Sequence, residues 1–85
     1  MSAIKKQYEE TLVVAFDSTA SALAFRSAAK HAGLQGRLFP VPRTLSAGCG
    51  MAWRESPSHQ ELVERVIATE HIDDAQVVVM SLRLG

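Results

Sequence analysis

The fold is decided by a short apolar stretch near the start of the chain, TLVVAFDS at residues 11–18. Its first six residues are β-branched or apolar and polar residues follow them, which is typical of a buried strand. Asp17 or Ser18 then begins a helix, because their side-chain oxygens accept hydrogen bonds from the free N–H groups of a first helical turn. The helix ends at Gly33, since glycine readily adopts the left-handed cap conformation.

The middle of the chain predicts a second strand, at residues 36–41, which lies at the edge of a sheet. Pro40 has no N–H group to donate to a neighbouring strand, and a proline is therefore confined to an edge. Residues 42–50 form a loop, and residues 51–54 resume as a short third strand.

A second helix and a fourth strand complete the pattern. Ser56-Pro57 is a typical helix start, and Ser58 and Glu61 have the spacing of a capping box. An apolar stripe follows at residues 62–67, and residues 76–82 are strongly β-prone. The order strand, helix, strand, strand, helix, strand predicts an α+β, ferredoxin-like βαββαβ fold. We expect a four-stranded antiparallel sheet with the two helices on one face.

This topology has two consequences for function. The start of the first helix and the 42–50 loop lie at one end of the sheet, whereas His31 and His59 lie at the opposite end. The sheet face away from the helices carries apolar residues of the first and fourth strands, which is typical of a partner or self-association surface. We therefore expect a homodimer or a docking surface there, unless the N-terminal segment through Tyr8 folds over it.

Composition narrows the classes of function. The 85 residues fit an N-terminal extension at 1–10 and a single domain at 11–83. Nine basic residues balance nine acidic ones, so we expect no nucleic-acid partner, and the absence of a long apolar run predicts no membrane partner. A single cysteine excludes an internal disulfide, and three dispersed histidines show no metal-ligand spacing. The expected location is a reducing cytoplasm.

The 42–50 loop is the strongest candidate for chemistry. Cys49 lies between Gly48 and Gly50, and successive N–H groups at glycines can converge on a sulfur and favour its thiolate form. Arg43 belongs to the same loop and adds a positive charge.

Cations and a helix end outside the loop strengthen this interpretation. Arg37 and Arg54 belong to the strands that flank the loop. The start of the first helix, capped by Ser18 and Thr19, points its positive end toward the same side. Each of these factors lowers the pKa of a thiol and makes it nucleophilic near neutral pH.

Other interpretations of the same residues stay open. A lone cysteine is commonly an inert core residue, in which case Arg43 and the start of the first helix would bind an anion or a partner's carboxylate. A third alternative is an interaction scaffold that pairs through the open sheet face. An enzyme is disfavoured because a cysteine hydrolase needs a histidine base, and nothing places His71 within reach of Cys49. No cofactor and no metal is implied.

The sequence also resembles a small domain family described as selenium or sulfur carrier protein-like, over about residues 11–82. The resemblance is carried by FDSTA at residues 16–20 and then by a scattered set of positions. These positions are Gly33, Leu38, Pro40-Val41-Pro42-Arg43, Ser46, Cys49-Gly50 and Ala52. Val41 and Ala47-Gly48 depart from the family pattern, in which these positions are more often polar.

What this resemblance implies is a cytoplasmic bacterial protein in which Cys49 carries persulfide or selenide between a donor protein and an acceptor protein. Pro42, Arg43, Ser46 and Gly50 match the family motif beside the cysteine. Carriers need only a reactive and accessible thiol, because the transferred group arrives from one partner and leaves to another.

Overall fold

The structure, a computed structural model, describes residues 8–41 and 50–83. Four strands, two helices and one 3-10 turn form the element order. They are β1 (Tyr8–Ala15), α1 (Thr19–His31), β2 (Arg37–Pro40), β3 (Met51–Glu55), the 3-10 turn (Pro57–His59), α2 (Gln60–Thr69) and β4 (Gln76–Arg83). β1 begins at Tyr8, three residues before the strand predicted from the sequence.

The strands form one antiparallel sheet in the order β2-β3-β1-β4. β1 and β3 are central, and β2 and β4 are the edges, which confirms the predicted α+β, ferredoxin-like arrangement. Pro40 pairs with Met51 at the end of the edge strand β2, where the missing N–H group is tolerated.

The core lies between the sheet and both helices. Leu12 and Val14 alternate with the other residues of β1, and together with Phe16, which follows the strand, they pack in one core with α1 and α2. The Phe25 ring of α1 stands 5.4 Å from the rings of Phe16 and Trp53, centroid to centroid, so one aromatic side chain joins α1 to β3 and to the residue that follows β1. Both helices therefore cover the same face, as predicted.

The opposite face of the sheet is less open than the sequence predicts. Thr11, Val13 and Ala52 alternate with core residues and so point away from the helices, yet all three are buried. Exposed apolar surface on the sheet is found instead on the outer strand β4, where Val78 and Val79 are 47% and 45% exposed. The solvent-facing apolar patch is thus a strand edge rather than a whole sheet face.

Helix ends follow the local sequence, with one exception. Gly33 has φ +92° and ends α1 as predicted, since the Leu34 N–H donates to the Ala29 carbonyl at 3.0 Å. The predicted capping box of Ser58 and Glu61 is wrong. Ser56 caps instead, because Pro57 begins a 3-10 turn and α2 starts only at Gln60.

His71 ends α2 in the conformation that glycine usually adopts. Its φ is +57°, and the Ile72 N–H donates to the Ile67 carbonyl at 3.1 Å, the same motif that Gly33 forms after α1. We expect His71→Gly to raise the free energy of unfolding by about 0.5–1 kcal/mol, because glycine adopts this φ without strain. Urea unfolding of the two proteins measures the difference.

The matched control for this change is His71→Ala. Alanine removes the imidazole but keeps a Cβ, so it retains the strained backbone and is expected to bring no gain. An alanine variant more stable than the glycine variant would contradict the assignment of strain to the backbone.

Candidate functional site

Most of the predicted site lies in one segment that the structure does not describe. Cys49, Arg43, Ser46 and Gly48 fall within residues 42–49 and so lie outside the described residues. The structure describes the two ends of this segment and the predicted residues Gly50, Ser18 and Thr19. It therefore defines where the segment is attached and what surrounds its attachment points.

The two ends of the segment meet at the end of the β2–β3 hairpin. The Val41 N–H donates to the Gly50 carbonyl at 2.9 Å, which extends the strand pairing one step beyond Pro40 and Met51. Gly50 has φ +72°, a left-handed conformation that favours glycine. Residues 42–49 thus leave and rejoin the hairpin at one point.

The start of α1 lies at the same end of the sheet, as predicted. Ala15 is the last residue of β1 and pairs with Ala52 near the hairpin end, and α1 follows after a short turn. Ser18 is the N-cap, and its Oγ accepts a hydrogen bond from the Ser21 N–H at 3.1 Å. Thr19 is the first helical residue and is exposed, so the capping role belongs to Ser18.

A carboxylate that sequence reasoning missed also lies at the start of α1. Asp74 Oδ2 accepts a hydrogen bond from the Asp17 N–H at 3.1 Å and lies 3.4 Å from Ser18 Oγ. A negative charge at this position partly neutralises the positive end of the helix. An external anion at the start of α1 would therefore meet the negative charge of Asp74, and the Ser21 N–H is already bound to Ser18.

Two arginines expected to act on the loop lie away from the two points where it is attached, Val41 and Gly50. Arg37 and Arg54 are directly paired across β2 and β3, at the end of the hairpin opposite Val41 and Gly50. Val41 is the fourth residue after Arg37 in extended chain, a distance of about 13 Å. The Arg54 guanidinium instead stands 5.4 Å from the centre of the Phe39 ring. Within the predicted site, Arg43 is therefore the cation that belongs to the segment itself.

The histidines are distributed as the topology predicts. His31 ends α1, and His59 ends the 3-10 turn that follows β3, so both lie at the sheet end opposite to the attachment points of segment 42–49. His71 follows α2 and precedes β4, whose first residue, Gln76, pairs with Ala15 at the hairpin end. No described contact joins His71 to the hairpin.

A second polar cluster, around Glu55, lies at the far end of the sheet. Glu55 is 6% exposed; its Oε1 accepts hydrogen bonds from Trp53 Nε1 and from the Gly36 N–H, both at 2.9 Å. His59 Nδ1 lies 2.7 Å from Oε2 of the same carboxylate. Burial raises the pKa of Glu55, but the hydrogen bonds from His59, Trp53 and Gly36 together hold it below the ordinary glutamate value.

The hydrogen bonds around Glu55 require a glycine at position 36. A Cβ at this position would collide with the backbone oxygen of Arg54 and would lie 2.6 Å from both Glu55 Oε1 and Trp53 Nε1. A surface pocket of about 370 Å³ borders the cluster, and its walls include Glu9, Arg37 and Arg54. No local signal in the sequence indicates this cluster, because a glutamate at the end of a strand is common on protein surfaces and only its burial shows that it requires donors.

Two kinds of feature are absent from the described residues. Across residues 8–41 and 50–83, no group of three or more His, Cys, Asp or Glu side chains is arranged to hold a metal ion. Within the same residues, no helix has both the length and the apolarity to cross a membrane.

The fold and the attachment of segment 42–49 define a small α+β domain of ferredoxin-like topology that carries its predicted site on a hairpin. A family model described as "Putative Se/S carrier protein-like" matches residues 11–79, and the chain therefore belongs to this family. The match includes every residue predicted for the site. The family name indicates transport of selenium or sulfur, and hence protein partners. No curated protein and no solved structure matches the chain.

Proposed function

We propose that the protein is a carrier of sulfur or selenium and that Cys49 holds the transferred atom. The observation that carries this proposal is the family match over residues 11–79, a stretch that contains the only cysteine of the chain. Arg43, Ser46, Gly48 and Gly50 would bind the charged sulfur.

The transfer is an exchange between thiols without net oxidation. The Cys49 thiolate attacks the outer sulfur of a donor persulfide; a new S–S bond forms at Cys49 Sγ, and the donor's S–S bond breaks to release its thiolate. The thiolate of an acceptor protein repeats the attack on the carried atom, and Cys49 leaves as a thiolate. With selenium, the donor carries a zero-valent outer selenium atom in place of the outer sulfur; an S–Se bond forms at Cys49 Sγ as the donor's bond to that selenium breaks, so the electrons balance in the same way.

The surroundings of the hairpin support a stabilising role for segment 42–49. Asp74 already occupies the start of α1, and Arg37 and Arg54 lie at the other end of the hairpin. A persulfide anion at Cys49 would therefore depend on Arg43 and on the N–H groups beside Gly48 and Gly50. Ser18, which caps α1, and Thr19, its first residue, would support the segment from the neighbouring helix start.

The partners and location follow from this chemistry. A carrier of this kind meets a donor protein and an acceptor protein in turn, and it works in the reducing cytoplasm, where a free thiol persists. A chain that passes the atom between proteins needs no catalytic base, which agrees with a role as a carrier rather than an enzyme.

Sulfur loading tests the proposal directly. After incubation with an equimolar low-molecular-weight persulfide, we expect intact-protein mass spectrometry to show a gain of about 32 Da, removed by dithiothreitol. Cys49→Ser should show no gain. A wild-type protein that gains no mass, or a gain that survives in Cys49→Ser, would contradict the proposal.

The rate of alkylation by iodoacetamide across pH separates the carrier from a binding module with an inert cysteine. A carrier thiol is expected to react with a midpoint below the ordinary value of about 8.5, and Arg43→Ala should move that midpoint upward. Arg26→Ala, which removes an exposed arginine of α1, is the matched control and should leave it unchanged.

A further inference from the structure

The two edges of the sheet differ in how they are protected. β2 is four residues long and ends in Pro40, so it offers little to a further strand. β4 is eight residues long, and its residues 76–82, QVVVMSL, contain no charge, no proline and no glycine. Natural edge strands are usually shortened, charged or interrupted to prevent pairing with other chains, whereas β4 is long, uninterrupted and charged only at its last residue.

The exposed apolar side chains of the sheet are found on this same edge. Val78 and Val79 are neighbours in sequence, so they point to opposite faces, yet each is nearly half exposed. Val79 is paired with Leu12 on the helix-covered face, and Val78 is paired with Val13 on the other face. A strand added beside β4 would flank both valines at once, which a partner docked on either face would not do.

We propose that β4 pairs antiparallel with β4 of a second copy of this chain, which joins two sheets into one of eight strands. With the two-fold axis at Val79, this residue faces its own copy and Val78 faces Met80, so the centre of the contact is apolar, while Ser81 and Gln76 take part in the outer pairs. The acidic residues Asp73 and Asp74 precede the strand and a basic residue, Arg83, ends it. Antiparallel pairing brings these oppositely charged ends together.

This interface differs from the face-to-face docking that the sequence suggests, and it does not depend on the proposed function. The β2–β3 hairpins lie at the two outer edges of the joined sheet, so the attachment points of segment 42–49 stay away from the contact. The added contact is one strand wide and smaller than a standard interface, so we expect a dissociation constant in the micromolar range.

Sedimentation velocity between about 5 and 200 µM tests the dimer, since a micromolar equilibrium crosses its midpoint in this range. We expect the wild type to change from monomer to dimer with concentration, and Val79→Lys and Val79→Glu each to stay monomeric. An equimolar mixture of the two variants should recover the dimer, because opposite charges then face each other. Leu23→Lys, which alters an equally exposed apolar residue of α1, should leave the dimer intact.

Three results would overturn the proposal: a monomeric wild type over the whole range, a dimer lost in Leu23→Lys but kept in Val79→Lys, or a mixture that stays monomeric. Hydrogen exchange on the wild type gives a second readout that needs no variant. Amides of residues 76–83 should exchange more slowly at a protein concentration of about 200 µM than at about 5 µM, while those of α1 should exchange at the same rate at both concentrations. Equal exchange at both concentrations would also overturn it.

Discussion

Gly36→Ala is expected to lower the free energy of unfolding by about 3–5 kcal/mol, a large part of the roughly 4–13 kcal/mol available to a domain of this size. The added Cβ would collide with the backbone oxygen of Arg54, which cannot turn away because Arg54 is paired with Arg37 in the β2–β3 ladder. It would also lie 2.6 Å from Glu55 Oε1 and Trp53 Nε1. Relief of these contacts requires breaking the hydrogen bonds of the buried carboxylate.

Urea unfolding followed by tryptophan fluorescence measures this effect, since Trp53 is the only tryptophan and is fully buried. Gly33→Ala is the matched control, because a Cβ there meets nothing within 4 Å and the residue differs only in its φ of +92°. We expect the control to lose about 1–2 kcal/mol. Equal losses in the two variants would contradict the steric argument at Gly36.

The features of the fold that could be predicted depend on residues close together in the sequence. Ser18 caps α1 and Gly33 ends it because each acts on the backbone within a few positions. Pro40 predicted an edge strand through its missing N–H group alone. The capping box at Ser58 failed because two cap signals overlap, and the proline at 57 fixes the earlier of the two as the start of the turn.

The features that could not be predicted depend on contacts between distant residues. Asp74 reaches the start of α1 across 57 positions of the chain, and Gly36 donates to Glu55 across 19. Neither contact leaves a local pattern, because an aspartate before a strand and a glutamate at the end of one are common on protein surfaces. The sequence therefore predicted the hairpin as the place for chemistry but did not predict which charges surround it.

Glu55→Ala is expected to lower the free energy of unfolding by about 3–5 kcal/mol, similar to the effect of Gly36→Ala. The change leaves Trp53 Nε1 and the Gly36 N–H without their acceptor in a buried position, and it deprives His59 Nδ1 of its 2.7 Å contact. Glu55→Gln keeps an oxygen for the two N–H donors and nearly the same volume. We expect this variant to lose only about 1–2 kcal/mol.

The wild type and Glu55→Gln together test how the stability provided by the Glu55 cluster depends on pH. The pKa of Glu55 is lower in the folded protein than its ordinary value of 4.5, because hydrogen bonds from His59, Trp53 and Gly36 outweigh the opposing effect of burial. The ionised carboxylate therefore stabilises the fold fully above pH 4.5, and this contribution declines as the pH falls through the lowered pKa. Urea unfolding between about pH 2.5 and 7 should show a steeper acid loss for the wild type than for Glu55→Gln, which has no proton to bind at this site. Parallel pH profiles would mean that another group causes the acid sensitivity and that Glu55 stabilises the fold by its hydrogen-bond geometry alone.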